Sequence, residues 1–293
     1  MPVNTSGVTD AVDRLEHAGT LDPAVTVVRK VVLAALGRQS VRDALNGVWL
    51  GHPLHPPLTD IPIGTWTSAA VLDAIPGTGT AATTLIAAGC VGYVPTILAG
   101  WADWADLTEP QQRVGLVHAA SGAIAFTCYV ASLAARARGR RVRGKAWAYA
   151  GFAMVSATGY LGGHLAFRQA AGVNHAEAVG QVFPEGWHGI GPLEDLPDAE
   201  LVKRSVDGIG LVAIRRGGHV DVLADTCSHL GAPLSEGTFT AKDGQGCVVC
   251  PWHGSTFRLS DGGVVHGPAT APMPRFETRV IDGEVEVRLP GAE

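Results

Sequence analysis

Residues 227–257 read CSHLGAPLSEGTFTAKDGQGCVVCPWHGSTF. The stretch begins and ends in two short loops of like composition. In the first, Cys227 and His229 are followed by Gly231 and Pro233; in the second, Cys250 and His253 enclose Pro251 and precede Gly254. Each loop offers one thiolate and one imidazole, donors that suit iron and zinc. The glycines and prolines shape tight loops that present both ligands and backbone N–H groups. Two ligand sets fit the spacing. Cys227, His229, Cys250 and His253 suit a pair of irons, the thiolates on one and the imidazoles on the other. Cys227, His229, Cys247 and Cys250 suit one zinc, because Cys247 and Cys250 have a two-residue gap, but that set leaves His253 and Gly254 without a role.

The loops sit among short alternating runs. GIGLVAIRRGGHVDVLAD (208–225) predicts two strands turning at Gly217 and Gly218, and ETRVIDGEVEVRL (277–289) predicts another hairpin turning at Asp282 and Gly283. Residues 183–293 are therefore expected to form a small all-β domain. Residues 171–182 before it read as a linker that lets the domain move.

Upstream the texture is different. Residues 81–101 (AATTLIAAGCVGYVPTILAGW), 114–135 (VGLVHAASGAIAFTCYVASLAA) and 146–167 (AWAYAGFAMVSATGYLGGHLAF) contain no Asp, Glu, Lys or Arg. Each has about the length needed to cross a hydrocarbon core of roughly 30 Å. Residues 57–76 (PLTDIPIGTWTSAAVLDAIP) form a weaker fourth candidate, with Asp60 and Asp73 near its ends. The expectation is a four-helix transmembrane bundle over 51–170, packed through small residues such as Ala119, Ala120 and Gly162. Over residues 1–50, the mixed apolar spacing of 21–47, broken by Arg29, Lys30, Arg38 and Arg42, predicts an amphipathic or surface helix region. The N-terminus lacks a signal-peptide pattern, so insertion is expected to start from an internal segment.

Bulk numbers agree. The 293 residues are 46% hydrophobic but only 17% charged, and 27 Asp and Glu stand against 22 Lys and Arg. That is a high apolar content for a wholly soluble chain, and there is no basic stripe for nucleic acid. The five cysteines do not resemble a disulfide framework.

The two Cys/His loops, together with GGVVHGPATAPMPRFETRV (262–280), resemble the Rieske [2Fe-2S] family over roughly residues 183–290. The resemblance implies that Cys227 and Cys250 bind one iron, and His229 and His253 the other. Rieske proteins of quinol-oxidising complexes carry an extra cysteine in each loop; Ala232 and Trp252 stand there instead, which implies the ferredoxin-like branch. Ser255 matches a serine whose hydroxyl donates to the cluster, whereas Phe257 replaces a tyrosine that does the same. Separately, GHPLHPPLTDIPIGTW (51–66) and GYLGGHLAFRQAAGVNH (159–175) resemble a bacterial family of four-helix membrane domains of unknown function.

The expected function is membrane-anchored one-electron transfer in a multi-pass protein of the bacterial inner membrane. A redox protein or a quinone is the expected partner. The chain relays electrons rather than completing a reaction on an organic substrate, since no soluble stretch here houses the mononuclear iron of an oxygenase. A four-span topology brings His52, His55, His118 and His164 to one face. This suggests a haem b or quinone site with His118 and His164 as axial ligands and His52 and His55 beside them, against ordinary hydrogen-bonded histidines. The alternatives are a quinol- or haem-linked oxidoreductase subunit and a redox-sensing or structural module. The loop RARGRRVRGK (136–145) argues for a cytoplasmic position of that loop, with the β domain outside. Cytoplasmic assembly of clusters argues the opposite, so both orientations stand open.

Overall fold

The computed structural model describes residues 7–242 and 245–291. The first residues of the N-terminal stretch, 1–6, lie outside the described residues, as do 243–244 and the end of the β region at 292–293. The chain divides into two units, one of residues up to 37 with 54–171, the other of 38–53 with 172 onward.

The first unit is helical. Short helices α1 (Gly7–Glu16) and α2 (Asp22–Leu36) precede four long ones: α4 (His55–Ala74), α5 (Gly79–Trp104), α6 (Glu109–Ala137) and α7 (Arg141–Gly163). Prolines set their starts, with Pro56 and Pro57 opening α4 and Pro110 opening α6, where the missing N–H groups have no helical partner to lose. At the head of α6 the Thr108 N–H also donates to Gln111 Oε1 (2.9 Å), closing a capping box. Helices α4 and α5 form one tight antiparallel hairpin, α6 and α7 another.

Apolar side chains face outward and polar ones are buried alongside a small apolar core that includes Trp66, Ile86 and Tyr129. Val71, Val91, Val94, Leu98, Ile124 and Val130 face outward, whereas Asp73, Thr96, Gln111, Gln112, Ser121 and Ser132 are buried. Large apolar side chains on the outside of a bundle need an apolar surrounding. Two of the helices, α5 and α6, are long and apolar enough to cross a membrane. Inside, Arg136 pairs with Asp73, whose side chain is fully buried, and Lys145 donates to the Asp73 carbonyl. Arg136 and Lys145 are thus bound to Asp73 rather than free charges of the basic loop.

The second unit is a β domain. Its six-stranded antiparallel sheet has the order β1-β10-β9-β4-β3-β2, from β1 (His188–Pro192), β2 (Leu201–Val206), β3 (Ile209–Arg216), β4 (His219–Ala224), β9 (Arg275–Ile281) and β10 (Glu284–Arg288). Its four-stranded sheet runs β5-β6-β7-β8, from β5 (Thr238–Lys242), β6 (Gln245–Val249), β7 (Thr256–Arg258) and β8 (Val264–His266). Both predicted hairpins are present, turning at Gly217–Gly218 and Asp282–Gly283. Leu211, Leu223, Leu234, Phe257 and Phe276 fill the core.

One segment differs from expectation. The single helix expected over 21–47 is broken at Gly37 (φ +44°) and extended Arg38, and α3 (Gln39–Asn46) beyond the break packs on the β domain. There Asp43 accepts the Gly267 N–H (2.9 Å) and pairs with His266 Nδ1 (2.9 Å). Residues 171–182 are expected as a linker, and within them Ala176 and Val179 of α8 (Val179–Val182) and its approach join the β core. The His175 N–H donates to the Ser228 carbonyl (3.0 Å).

Replacing Arg136 by Met leaves the Asp73 carboxylate buried without its partner. The expected cost is about 3–5 kcal/mol, read as a lower midpoint of thermal unfolding of the purified full chain in detergent. Adding Asp73→Asn to Arg136→Met is expected to recover most of it.

Candidate metal centre

Three loops of the β domain carry the site. The first joins β4 to β5 and holds Cys227 and His229; the second joins β6 to β7 and holds Cys250 and His253; the third joins β8 to β9. The two ligand loops close by the same pair of backbone bonds. The Cys227 N–H donates to the Ala232 carbonyl (2.8 Å) and the Gly231 N–H to the Cys227 carbonyl (2.9 Å). Likewise the Cys250 N–H donates to the Ser255 carbonyl (2.8 Å) and the Gly254 N–H to the Cys250 carbonyl (3.2 Å). In both, the fourth residue after the cysteine is a glycine in the left-handed region, Gly231 at φ +77° and Gly254 at φ +75°.

The third loop fastens the first two. The Ser228 N–H donates to Met273 Sδ (3.3 Å), Ser228 Oγ donates to the Ala271 carbonyl (2.7 Å), and the Ala269 N–H donates to Ser255 Oγ (2.9 Å). Below the first loop, buried Asp225 accepts the Ser235 N–H through its side chain (2.7 Å) and the Leu234 N–H through its carbonyl (2.7 Å).

The four expected donors come together as two like pairs. Cys227 and Cys250 are buried and their sulfurs share a hydrogen bond. The His229 and His253 rings meet edge to face with centroids 5.0 Å apart. The His229 and Leu230 N–H groups point to the Cys227 sulfur, and those of Trp252 and His253 to the Cys250 sulfur. The hydrogen bond from Cys227 holds the Cys250 thiol at about 6 against the cost of burial, and the two N–H groups assist. Cys227, which keeps the shared proton, is pushed up by that bond and by burial. Burial, with His253 and His175 nearby, lowers His229 to about 3, so its ring is neutral at physiological pH.

His229 Nδ1 is buried and has no hydrogen-bond partner among the described residues. A buried ring nitrogen left this way is costly unless something takes its lone pair. The donor set therefore fits a two-metal group held by two sulfurs on one side and two nitrogens on the other. A single zinc fits less well, since it draws all four donors around one point at about 2.0–2.3 Å. Among the described residues, the one group of three or more such donor atoms within 4.8 Å of one another is Asp13, Glu16 and His164. Cys247 lies on β6 opposite Thr240 and Arg258. All five cysteines are free thiols.

His229 and His253 are half-buried, and Pro251 and Trp252 of the second loop are exposed. Ser255 is buried, and the Ala269 N–H that it accepts leaves its own hydroxyl proton to donate elsewhere. Phe257 is sealed in the core. Sequence reasoning overlooked His175, Met273 and Asp43, which act on these loops through backbone bonds and nearby charge that no motif spacing signals.

The expected membrane histidines fall apart into separate settings. His52 is exposed in the turn before α4, with Nδ1 donating to the Pro53 carbonyl (3.0 Å). His164 Nε2 is engaged by Glu16 Oε1 (2.6 Å). His118 faces His55, not His164, with ring centroids 6.3 Å apart.

Paired Cys/His loops on a small two-sheet β domain define a class of metal-clasping electron-transfer modules. Residues 186–277 match the model described as "Rieske [2Fe-2S] domain", and the chain belongs to that family through this domain. Residues 51–175 match "Predicted membrane protein (DUF2231)". The chain is 31% identical over 103 residues to the anthranilate 1,2-dioxygenase ferredoxin subunit of Burkholderia cepacia, covering 35% of this chain and 92% of that one. The 3-phenylpropionate/cinnamic acid dioxygenase ferredoxin subunit of Escherichia coli K12 matches to the same extent, 31% over 103 residues with the same coverage. Among solved structures, a complex of reduced oxygenase and oxidized ferredoxin in carbazole 1,9a-dioxygenase is 32% identical over 36% of this chain and 94% of that chain, with a TM-score of 0.32.

Alanine at Gly231 or Gly254 places a Cβ in the left-handed region. Each change is expected to destabilise the β domain by about 1–2 kcal/mol, seen in calorimetry of the full chain as a lower melting temperature.

Proposed function

We propose that this chain is a membrane-anchored one-electron carrier in which Cys227 and Cys250 hold one iron of a [2Fe-2S] cluster and His229 and His253 the other. The observation that carries this reading is the sorting of four donors into a sulfur pair and a nitrogen pair, with His229 Nδ1 buried and unpartnered. The cluster, when bound, accepts and returns a single electron at a potential set by its ligands.

The protein's own groups set the terms. Four backbone N–H groups aimed at the cysteine sulfurs favour the more negative, reduced state, and the Ser255 hydroxyl is placed to add to them. Phe257 provides no such donor. Exposed Trp252, next to His253, marks the surface through which a partner reaches the imidazole side. The partner is a redox protein, as the ferredoxin subunits among its relatives suggest, or a quinone.

In this reading residues 51–170 form the membrane domain and 183–293 the Rieske domain, in a multi-pass protein of the bacterial inner membrane. Helices of 20, 26, 29 and 23 residues support four crossings, since at 1.5 Å per residue they measure about 30–44 Å. The outward apolar side chains on them agree.

Anaerobically purified full chain is expected to contain iron and acid-labile sulfide in equal amounts and to give a Rieske-type electron paramagnetic resonance signal on reduction. His253→Ala or Cys250→Ser should abolish that signal. One zinc without sulfide would overturn the assignment. The midpoint potential is expected in the lower part of the range of about −150 to +300 mV, raised by Phe257→Tyr and lowered by Ser255→Ala. A wild-type value above roughly +200 mV contradicts the expectation.

A further inference from the structure

The two long hairpins of the helical unit repeat each other. His55, Leu58, Trp66 and Asp73 of α4 correspond to His118, Ser121, Tyr129 and Arg136 of α6, each pair 63 residues apart. Gly89, Thr96 and Gly100 of α5 correspond to Gly151, Thr158 and Gly162 of α7, each 62 apart. Three of the pairs in α4 and α6 also meet in space. Trp66 stacks on Tyr129 with centroids 4.2 Å apart, Asp73 pairs with Arg136, and His55 faces His118 at 6.3 Å with ring planes at 79°. Two of these meetings are ordinary core contacts, an aromatic stack and an ion pair. The histidine pair is not.

Both histidines are held in the same way. His55 Nδ1 lies 3.0 Å from the Thr96 carbonyl and His118 Nδ1 lies 2.9 Å from the Thr158 carbonyl. A carbonyl only accepts, so in each ring Nδ1 carries the proton, and in the neutral ring the lone pair is on Nε2. Both threonines are themselves fixed: Thr96 Oγ1 donates to the Leu58 carbonyl (3.0 Å), and Thr158 Oγ1 bonds Ser121 Oγ (2.8 Å). Each ring lies against a glycine on the partner helix. A Cβ added at Gly100 would come within 2.8 Å of the His55 ring, and one at Gly162 within 3.2 Å of His118. Fixing a ring through Nδ1–H to a carbonyl is the usual way of orienting a histidine that ligates through its other nitrogen.

Two like lone pairs cannot bond each other, so the pair calls for something between or beside them. Metal–nitrogen bonds of about 2.0–2.1 Å, with about 1.2 Å from nitrogen to ring centre, place the centroids of two imidazoles on opposite sides of one metal about 6.4 Å apart. A bare ion such as zinc takes four ligands. Among the described residues no group of three or more His, Cys, Asp or Glu donor atoms includes His55 or His118. An iron held in a planar tetrapyrrole needs two only, one on each face. No cysteine pair precedes a histidine in the C-x-x-C-H pattern of covalent haem attachment, so such a group would be bound without a covalent link.

We propose that His55 and His118 are the two axial ligands of a non-covalently bound, b-type haem in the helical unit, a redox centre separate from the iron–sulfur site. The test uses full-length protein produced with a haem precursor and purified from membranes. A pyridine haemochrome assay should show b-type haem, and magnetic circular dichroism the signature of low-spin iron with two imidazoles. His55→Ala and His118→Ala should each lose the haem, His164→Ala should keep it, and added imidazole should restore the low-spin signature to His118→Gly. The iron–sulfur resonance signal of the same samples reports the β domain independently and should persist in every variant. Wild-type protein that carries the cluster but no haem would overturn the proposal. So would haem retained in both alanine variants, or a bare metal at the pair.

Discussion

The β domain depends on one repeated backbone device, the turn in which a cysteine carbonyl accepts the N–H of a glycine four residues on while the cysteine's own N–H reaches one residue further. A sulfur held this way cannot wander, and the same turn directs two further N–H groups at it. Order at the tips of two surface loops is thus bought with backbone geometry rather than with side-chain bulk. The third loop, bonding to Ser228 and Ser255, sets the spacing between the turns. The neutral ring of His229 follows from it, since its proton is lost to burial beside His253.

The helical unit obeys the reverse logic. Its outer surface is apolar and its interior holds Asp73, Arg136, Ser132 and the threonines. Such an interior is stable when every polar group has a partner within the bundle. The Ser132 hydroxyl donates to the Gly144 carbonyl (2.7 Å) and the Trp104 indole to the Gln112 carbonyl (2.9 Å), whereas the Tyr129 hydroxyl and Asp73 Oδ1 are buried without a hydrogen-bond partner among the described residues. Glycines at 89, 100, 151 and 162 let the large rings of one helix lie against the backbone of the next.

Much of this was legible in the amino-acid sequence, for identifiable reasons. Cys227, His229, Cys250 and His253 are close along the chain and flanked by glycine and proline, so spacing exposes them as donors, and the resemblance to Rieske domains chooses them over the set with Cys247. The hairpins at Gly217–Gly218 and Asp282–Gly283 advertise their turns. The meeting of His55 with His118 was not legible, because the partners are 63 residues apart and the repeat that joins them keeps identity only in part: histidine, threonine and glycine recur, but tryptophan answers tyrosine, and aspartate answers arginine. Hydrophobic patterning likewise gave no sign that α3 belongs to the β domain. Its anchors are the Asp43 carboxylate and the Gln39 amide, bonded to residues near the other end of the chain.

The Asp43 anchor has a bearing on how the molecule is made. Asp43 and its partners His266 and Gly267 are separated by more than 220 residues, with all four long helices encoded between them. The ribosome therefore delivers α3 early, and its docking surface emerges only after the helices have been translated. Closure of the β domain is consequently a late event, because long-range pairings cannot form before both ends exist.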